Sequence, residues 1–208
     1  MAIDFVNLSY SEQEAYFNDP RQSLRDVRGI QILDFDSKKT RLEDQNNVIT
    51  EVPLFQKALD DFISRNNIPL NKKVLELGGA IGVHAKYALS KNIKWNVLDT
   101  CQWCFDNKLI PDANFIKADA KTHLETLRNN EYDYIVSFNF LDCYSKADLP
   151  SLITEINRVG KKQIHIVSEK GDQLDYIIED LDFWKLQGFK TGTILIGREQ
   201  NLNHIVVV

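Results

Sequence analysis

Val74-Leu75-Glu76-Leu77-Gly78-Gly79-Ala80-Ile81-Gly82 reads as a short buried strand ending in an acidic residue, followed by a tight glycine turn. The turn opens a helix from Val83 to about Leu89. Glycines let a backbone approach a ligand closely, and a helix N-terminus offers N–H groups that the helix itself does not use. Twenty-one residues after Gly78, Asp99 closes a second strand-like run, Lys94-Trp95-Asn96-Val97-Leu98. A carboxylate at that spacing is placed to take two ribose hydroxyls, so the pair of signals points to an adenosine-containing cofactor.

From Lys73 onward, strand-like and helical segments alternate. The expected strands are 73–77, 94–98, 114–117, 133–138, 163–168, 192–197 and 203–208, with helices at about 82–91, 101–109, 120–129, 147–159 and 172–187. Strands separated by helices imply right-handed parallel crossovers and a sheet covered on both faces. The end of the chain breaks the pattern: only Arg198 to Asn203 join the last two runs, and a link that short permits only an antiparallel pair. Residues 1–70 are polar and poor in strand signals. Ser11-Glu12-Gln13-Glu14 fits a capping box, Asp19-Pro20 a helix stop, and 52–65 a helix with Pro53 in its first turn. They read as a helical extension of one domain whose main body is residues 71–208.

These residues resemble the class I S-adenosylmethionine-dependent methyltransferases. Glu76-Leu77-Gly78-Gly79-Ala80-Ile81-Gly82 stands where that family has an acidic residue and Gly-x-Gly-x-Gly, with Ala80 in place of the middle glycine. Asp99, then Asp119 in Phe115-Ile116-Lys117-Ala118-Asp119-Ala120, match the acidic residues after the second and third strands. Tyr132 to Leu141 matches the fourth-strand motif, and Glu155-Ile156-Asn157-Arg158-Val159 the end of the next helix. The usual Pro-Gly-Gly before strand five is replaced by Gly160-Lys161-Lys162.

The resemblance implies a three-layer, Rossmann-like α/β fold with a seven-stranded, mostly parallel sheet and a C-terminal antiparallel hairpin. It implies S-adenosyl-L-methionine held by Glu76, Gly78, Gly79, Ala80, Gly82, Asp99, Thr100, Asp119, Ala120 and Ser137. Asn139, Asp142 and Tyr144 would face the acceptor, and methyl transfer would be a direct displacement that depends largely on alignment. Two other readings stand beside it: a protein of this fold that binds without turnover, and a nicotinamide-binding oxidoreductase. The second wants Gly-x-Gly-x-x-Gly, but positions 80 and 83 are Ala and Val. Glu76 beside the turn also repels a pyrophosphate and suits a cationic ligand.

Composition narrows the field further. The chain is 43% hydrophobic and 26% charged, with no apolar run near the ~20 residues a membrane span needs. A net charge of −5 with scattered basic residues disfavours long nucleic acid as a partner. No Asn-Pro-Pro-Tyr, Asp-Pro-Pro-Tyr or Pro-Cys motif of nucleic-acid methylation follows strand four, so a small-molecule or protein acceptor is expected. Three cysteines and no signal-like start fit a cytoplasmic protein. Cys101 and Cys104 read as buried helix residues, and no metal site is expected. Asp99 and Asp119 each precede a helix, so capping is an alternative use for both. His165 reads as a core or edge residue and His123 as helix surface. His84 stands either near the cofactor's carboxylate or on the surface.

Overall fold

The computed structural model describes residues 63–64, 68–138, 140–141, 144–167, 181–189, 192–198 and 201–207. The helical extension expected before residue 63 lies outside them, as do Asn139 and Asp142. The described elements are β1 (Lys73–Leu77), α1 (Val83–Ser90), β2 (Lys94–Asp99), α2 (Gln102–Asp106), a 3-10 turn (Asp112–Asn114), β3 (Phe115–Lys117), α3 (Ala120–Thr126), β4 (Tyr132–Phe138), α4 (Leu149–Val159), β5 (Gly160–Val167), α5 (Leu181–Lys185), β6 (Gly192–Arg198) and β7 (Asn201–Val207). Seven strands form one sheet in the order β3-β2-β1-β4-β5-β6-β7. All pairings are parallel except β6 with β7, which runs antiparallel with an irregularity between Ile196 and Gly197.

Strand alternation sorts apolar side chains to two faces, and each face has its own cover. Val74, Trp95, Val97, Val136, Ile164 and Ile166 pack with Val83, Ala85 and Ala88 of α1 and with Cys101 and Cys104. Leu75, Leu77, Leu98, Ile135 and Val167 pack with Leu124 of α3, with the apolar stripe Leu149, Leu152, Ile153, Ile156 and Val159 of α4, and with Trp184 of α5. The stripe recurs every three or four residues, so α4 has one inward face. Cys101 and Cys104 are both buried.

Several elements differ from the expected boundaries, α3 for one ending at Thr126 instead of 129, and at two of them the physical reason is visible. α2 ends at Asp106 instead of about 109, because the Leu109 N–H leaves the helix to donate to the carbonyl of Ile81 at 2.9 Å. β5 starts three residues early: Gly160 closes α4 and pairs at once with Tyr132. A Cβ at Gly160 would lie 3.0 Å from Ile135 and 3.2 Å from the carbonyl of Ile156, so the helix-to-strand corner is tight.

Arg158, near the end of α4, fastens α3 beneath it. Its guanidinium donates to the carbonyls of Leu124 (2.7 Å) and Leu127 (2.6 Å) at the C-terminal end of α3, and to Glu155 on its own helix. The Leu124 carbonyl also accepts from the Leu127 N–H at 3.0 Å, so the guanidinium supplements the helix's own cap, and a planar fork reaches two carbonyls at once where an ammonium cannot. Arg158→Lys should therefore lower the thermal midpoint by roughly 3–6 °C while leaving far-UV circular dichroism unchanged. A midpoint equal to wild type would show that the fork adds nothing.

Candidate functional site

The C-terminal ends of β1, β2 and β3 are drawn together by backbone hydrogen bonds. Gly78 N–H donates to the carbonyl of Leu98 at 2.8 Å, and Ala118 N–H to the carbonyl of Asp99 at 3.1 Å. Between them, the glycine turn folds back on itself through Gly82 N–H to the carbonyl of Gly79 at 2.8 Å. Gly78 (φ +68), Ala80 (φ +47) and Gly82 (φ +81) all take the left-handed conformation. Ala80 thus adopts a backbone that suits glycine, which explains why the sequence pattern reads through it.

Asp99 ties this turn to β2. One carboxylate oxygen accepts from Ala80 N–H at 2.9 Å and the other from Cys101 N–H at 2.8 Å. The side chain therefore braces the turn and starts α2 at the same time. Burial and the neighbouring Glu76 carboxylate push its pKa up, against three backbone N–H groups that pull it down. Asp99 keeps a partly open edge, and each carboxylate oxygen can accept a second hydrogen bond. Asp119, at the next strand end, caps α3 by accepting from Thr122 N–H at 2.9 Å. Thr100 is partly exposed and Ala120 is buried beside these two aspartates.

Glu76 and Ser137 are both engaged by other side chains of the protein. Glu76 is 1% exposed, and each of its oxygens has a partner. One accepts from the indole N–H of Trp95 at 2.7 Å, and the other lies 2.5 Å from His84 Nδ1. Ser137 is fully buried on the opposite face of the sheet, 2.8 Å from His165 Nδ1, its register partner on β5. His165 is buried against Phe189, and loss of solvent lowers its pKa to about 3, so it is neutral. His123 is partly buried on α3, and that loss of solvent lowers its pKa.

The segment after β4 reaches back over the turn. A Cβ on Gly78 would come within 2.4 Å of the Phe140 ring, so that ring rests directly on the glycine. Tyr144 packs edge-on against Phe140 with centroids 5.2 Å apart. Of the three expected acceptor-facing residues, Tyr144 is thus joined to the turn through Phe140. His84 enters the site as a residue whose pairing the sequence did not reveal. Its ring lies on Phe138, the last residue of β4, with centroids 4.2 Å apart. The available signal was its position two residues past Gly82, one turn from the acidic end of β1.

Among the described residues, no three His, Cys, Asp or Glu side chains gather as a metal site would require, and no helix is long and apolar enough to cross a membrane. No family model and no curated protein matches the chain. Solved structures do. A Methanococcus maripaludis protein assigned to the S-adenosyl-L-methionine-dependent methyltransferases is 17% identical, covering 81% of this chain and 69% of its own, with a TM-score of 0.48. An Archaeoglobus fulgidus S-adenosylmethionine-dependent methyltransferase is 17% identical over 52% of this chain and 48% of its own, at 0.45. An Anabaena variabilis protein assigned as a methyltransferase of antibiotic biosynthesis is 11% identical over 67% and 44%, at 0.46. The chain spans about half the length of the last two. Likeness at this level speaks to the fold alone.

The turn geometry sets two opposite outcomes. Gly78→Ala should cost about 2–4 kcal/mol in urea unfolding, from left-handed strain plus displacement of Phe140. Ala80→Gly should cost nothing or stabilise by up to about 1 kcal/mol, because relief of strain offsets the added freedom of the unfolded chain. Equal losses in both would mean that the turn is held in some other way.

His165 sets a pH dependence. Its folded pKa of about 3 lies below the ordinary value of 6.5, so the unfolded chain binds the extra proton first. The full contribution is present above pH 6.5 and is lost as pH falls towards 3, at about 1.4 kcal/mol per pH unit in the middle of that window. Urea unfolding between pH 6 and 4 should show that slope in wild type and a shallower one in His165→Asn. Parallel slopes would assign the acid sensitivity elsewhere.

Proposed function

We propose that this protein binds S-adenosyl-L-methionine at the C-terminal ends of β1 to β4 and transfers its methyl group to a small-molecule or protein acceptor. The observation that carries the reading is the union of the glycine turn with Asp99. That carboxylate is fixed by two backbone N–H groups, yet keeps acceptor capacity at a partly open strand end. Such a group suits the paired hydroxyls of a ribose, as ligands of open α/β sheets sit beyond the strands' C-terminal ends.

The residues fit the adenosine half of the cofactor well. Asp99 holds the ribose, Asp119 with Ala120 flanks the adenine, and Thr100 lies between them. Capping does not compete with this, since a carboxylate has acceptor positions beyond the one Thr122 uses. Gly78, Gly79, Ala80 and Gly82 shape the backbone on which the remainder rests, and Glu76 supports that backbone from below. When bound, the cofactor supplies a methyl group already activated for displacement. The chain's own work is then alignment, exclusion of water and handling of the acceptor's proton. Tyr144, with Asn139 and Asp142 of the same segment, orients the acceptor.

Two carboxylates beside one turn disfavour the pyrophosphate of a nicotinamide cofactor. A binding protein without turnover shares the cofactor site, and separates from the enzyme only by a product: labelled cofactor with cell extract yields a labelled acceptor for the enzyme alone.

Calorimetric titration with S-adenosylhomocysteine tests the site itself. Wild type should bind, and Asp99→Ala should bind at least about tenfold more weakly, the loss expected for hydrogen bonds to a charged group. Absence of binding in wild type, unchanged affinity in the variant, or tighter binding of NAD would overturn the assignment.

A further inference from the structure

The glycine turn carries an aromatic pair. Phe140 follows the end of β4 and is half-buried. Its side chain is seated on Gly78, where a Cβ would lie 2.4 Å from Cδ2 of the ring and 3.0 Å from Cγ. Gly78 is itself tied to β2, its N–H donating to the Leu98 carbonyl at 2.8 Å, so the seat belongs to the sheet. Tyr144, also half-buried, meets Phe140 edge to face, with 5.2 Å between centroids and 67° between planes. Leu141 anchors the segment between them, fully buried in the layer with Leu75 and Leu77. One part of the Phe140 ring is thus taken by the turn and another by Tyr144. The remainder is exposed beyond the strands' C-terminal ends, where ligands of open sheets bind. Two rings set nearly at right angles make an inside corner. A third planar ring can stack, offset, on one of them and meet the other through an edge.

We propose that Phe140 sets the acceptor specificity of this site and that the acceptor carries a planar aromatic ring, an inference that rests on the S-adenosylmethionine reading above. The acceptor's ring stacks on the exposed part of Phe140, and Tyr144 closes the corner. A saturated ring of the same carbon skeleton buries a similar area, but it is too thick to stack and has no quadrupole for the edge contact. A flexible chain must give up rotamer freedom against the corner, which a rigid ring does not have to lose. Gly78 then has two reasons to be glycine: the left-handed turn, and the room that the Phe140 ring takes above it.

Two probes on the whole protein test the proposal without knowledge of the natural acceptor: naphthol, which is flat, and its saturated counterpart decahydronaphthol. With S-adenosylhomocysteine kept saturating, naphthol should bind, as read by its own fluorescence. Decahydronaphthol should compete roughly fivefold more weakly, the gain expected for one aromatic pair. The Phe140 ring protons, identified by their loss in Phe140→Leu, should move upfield on addition of naphthol and stay in place with decahydronaphthol. Phe140→Leu should bring the two affinities within about twofold of each other, and this ratio does not depend on how tightly the variant holds the cofactor product. The wild-type arms need no variant, so a poorly folding Phe140→Leu leaves the test intact. A capped tyrosine peptide that displaces naphthol would place the acceptor's ring on a protein side chain, and one that does not would place it on a small molecule. Equal binding of the two probes, no naphthol binding while calorimetry shows S-adenosylhomocysteine bound, or a preference intact in Phe140→Leu would overturn the specificity role alone. No binding heat for S-adenosylhomocysteine would overturn the cofactor reading and the acceptor site with it.

Discussion

A buried carboxylate holds the working end of this sheet together. Glu76, one residue before the end of β1, accepts from an indole on β2 and pairs with an imidazole in the first turn of α1. Burying a carboxylate is costly unless its oxygens are hydrogen-bonded, and removing one partner of a buried charged pair typically costs about 3–5 kcal/mol. The two partners therefore have to be where they are for the strand to end in an acidic residue at all. Gly79 follows from the same constraint, since a Cβ there would lie 3.0 Å from the Glu76 carboxyl carbon and 2.9 Å from Val97. The glycine turn is shaped from beneath by its own protein as much as by any ligand above.

The rest of the loop depends on that base. With Glu76 fixed, Gly78 turns the chain under Phe140, and Ala80 is carried into a left-handed backbone that presents its N–H to Asp99. A left-handed alanine costs about 1–2 kcal/mol, and the charge-assisted hydrogen bond to Asp99 offsets a similar amount. Alanine is thus tolerated where the pattern has glycine, because the conformation is enforced from two sides. Gly82 has no such latitude: a Cβ there would meet Ile110 at 3.0 Å.

Much of this was legible in the sequence, and the legible parts share one cause. The alternation of apolar strands with amphipathic helices comes from burial on both faces of a sheet, a periodic requirement that leaves its mark on consecutive residues. That Asp99 and Asp119 stand between a strand end and a helix start was legible for the same reason, since such a junction has a local composition. What stayed hidden was pairing at a distance. Ser137 and His165 face each other only because β4 and β5 adopt one register, and no local pattern encodes register between parallel strands. Glu76 and Trp95 share a face because Glu76 sits opposite Val97, two residues on from Trp95. The direction of Glu76, towards Trp95 and His84, is likewise set by partners distant in the chain.

That direction redistributes the labour of the site. Glu76 and Asp99 are carboxylates one strand apart, yet Glu76 is sealed and Asp99 keeps an open edge. The difference lies in where each strand stops. Glu76 precedes Leu77, which is still paired with Leu98 and Ser137, so the sheet continues past it and α1 covers it. Asp99 is the last residue of β2, paired only with Lys117, and the chain turns away immediately after it. One more residue of strand converts an outward carboxylate into an internal one. The inner carboxylate is taken up by the imidazole and indole it holds, while the outer one keeps an open edge. An acidic residue near a glycine turn therefore has two possible roles, and the position of the strand's last pair decides between them.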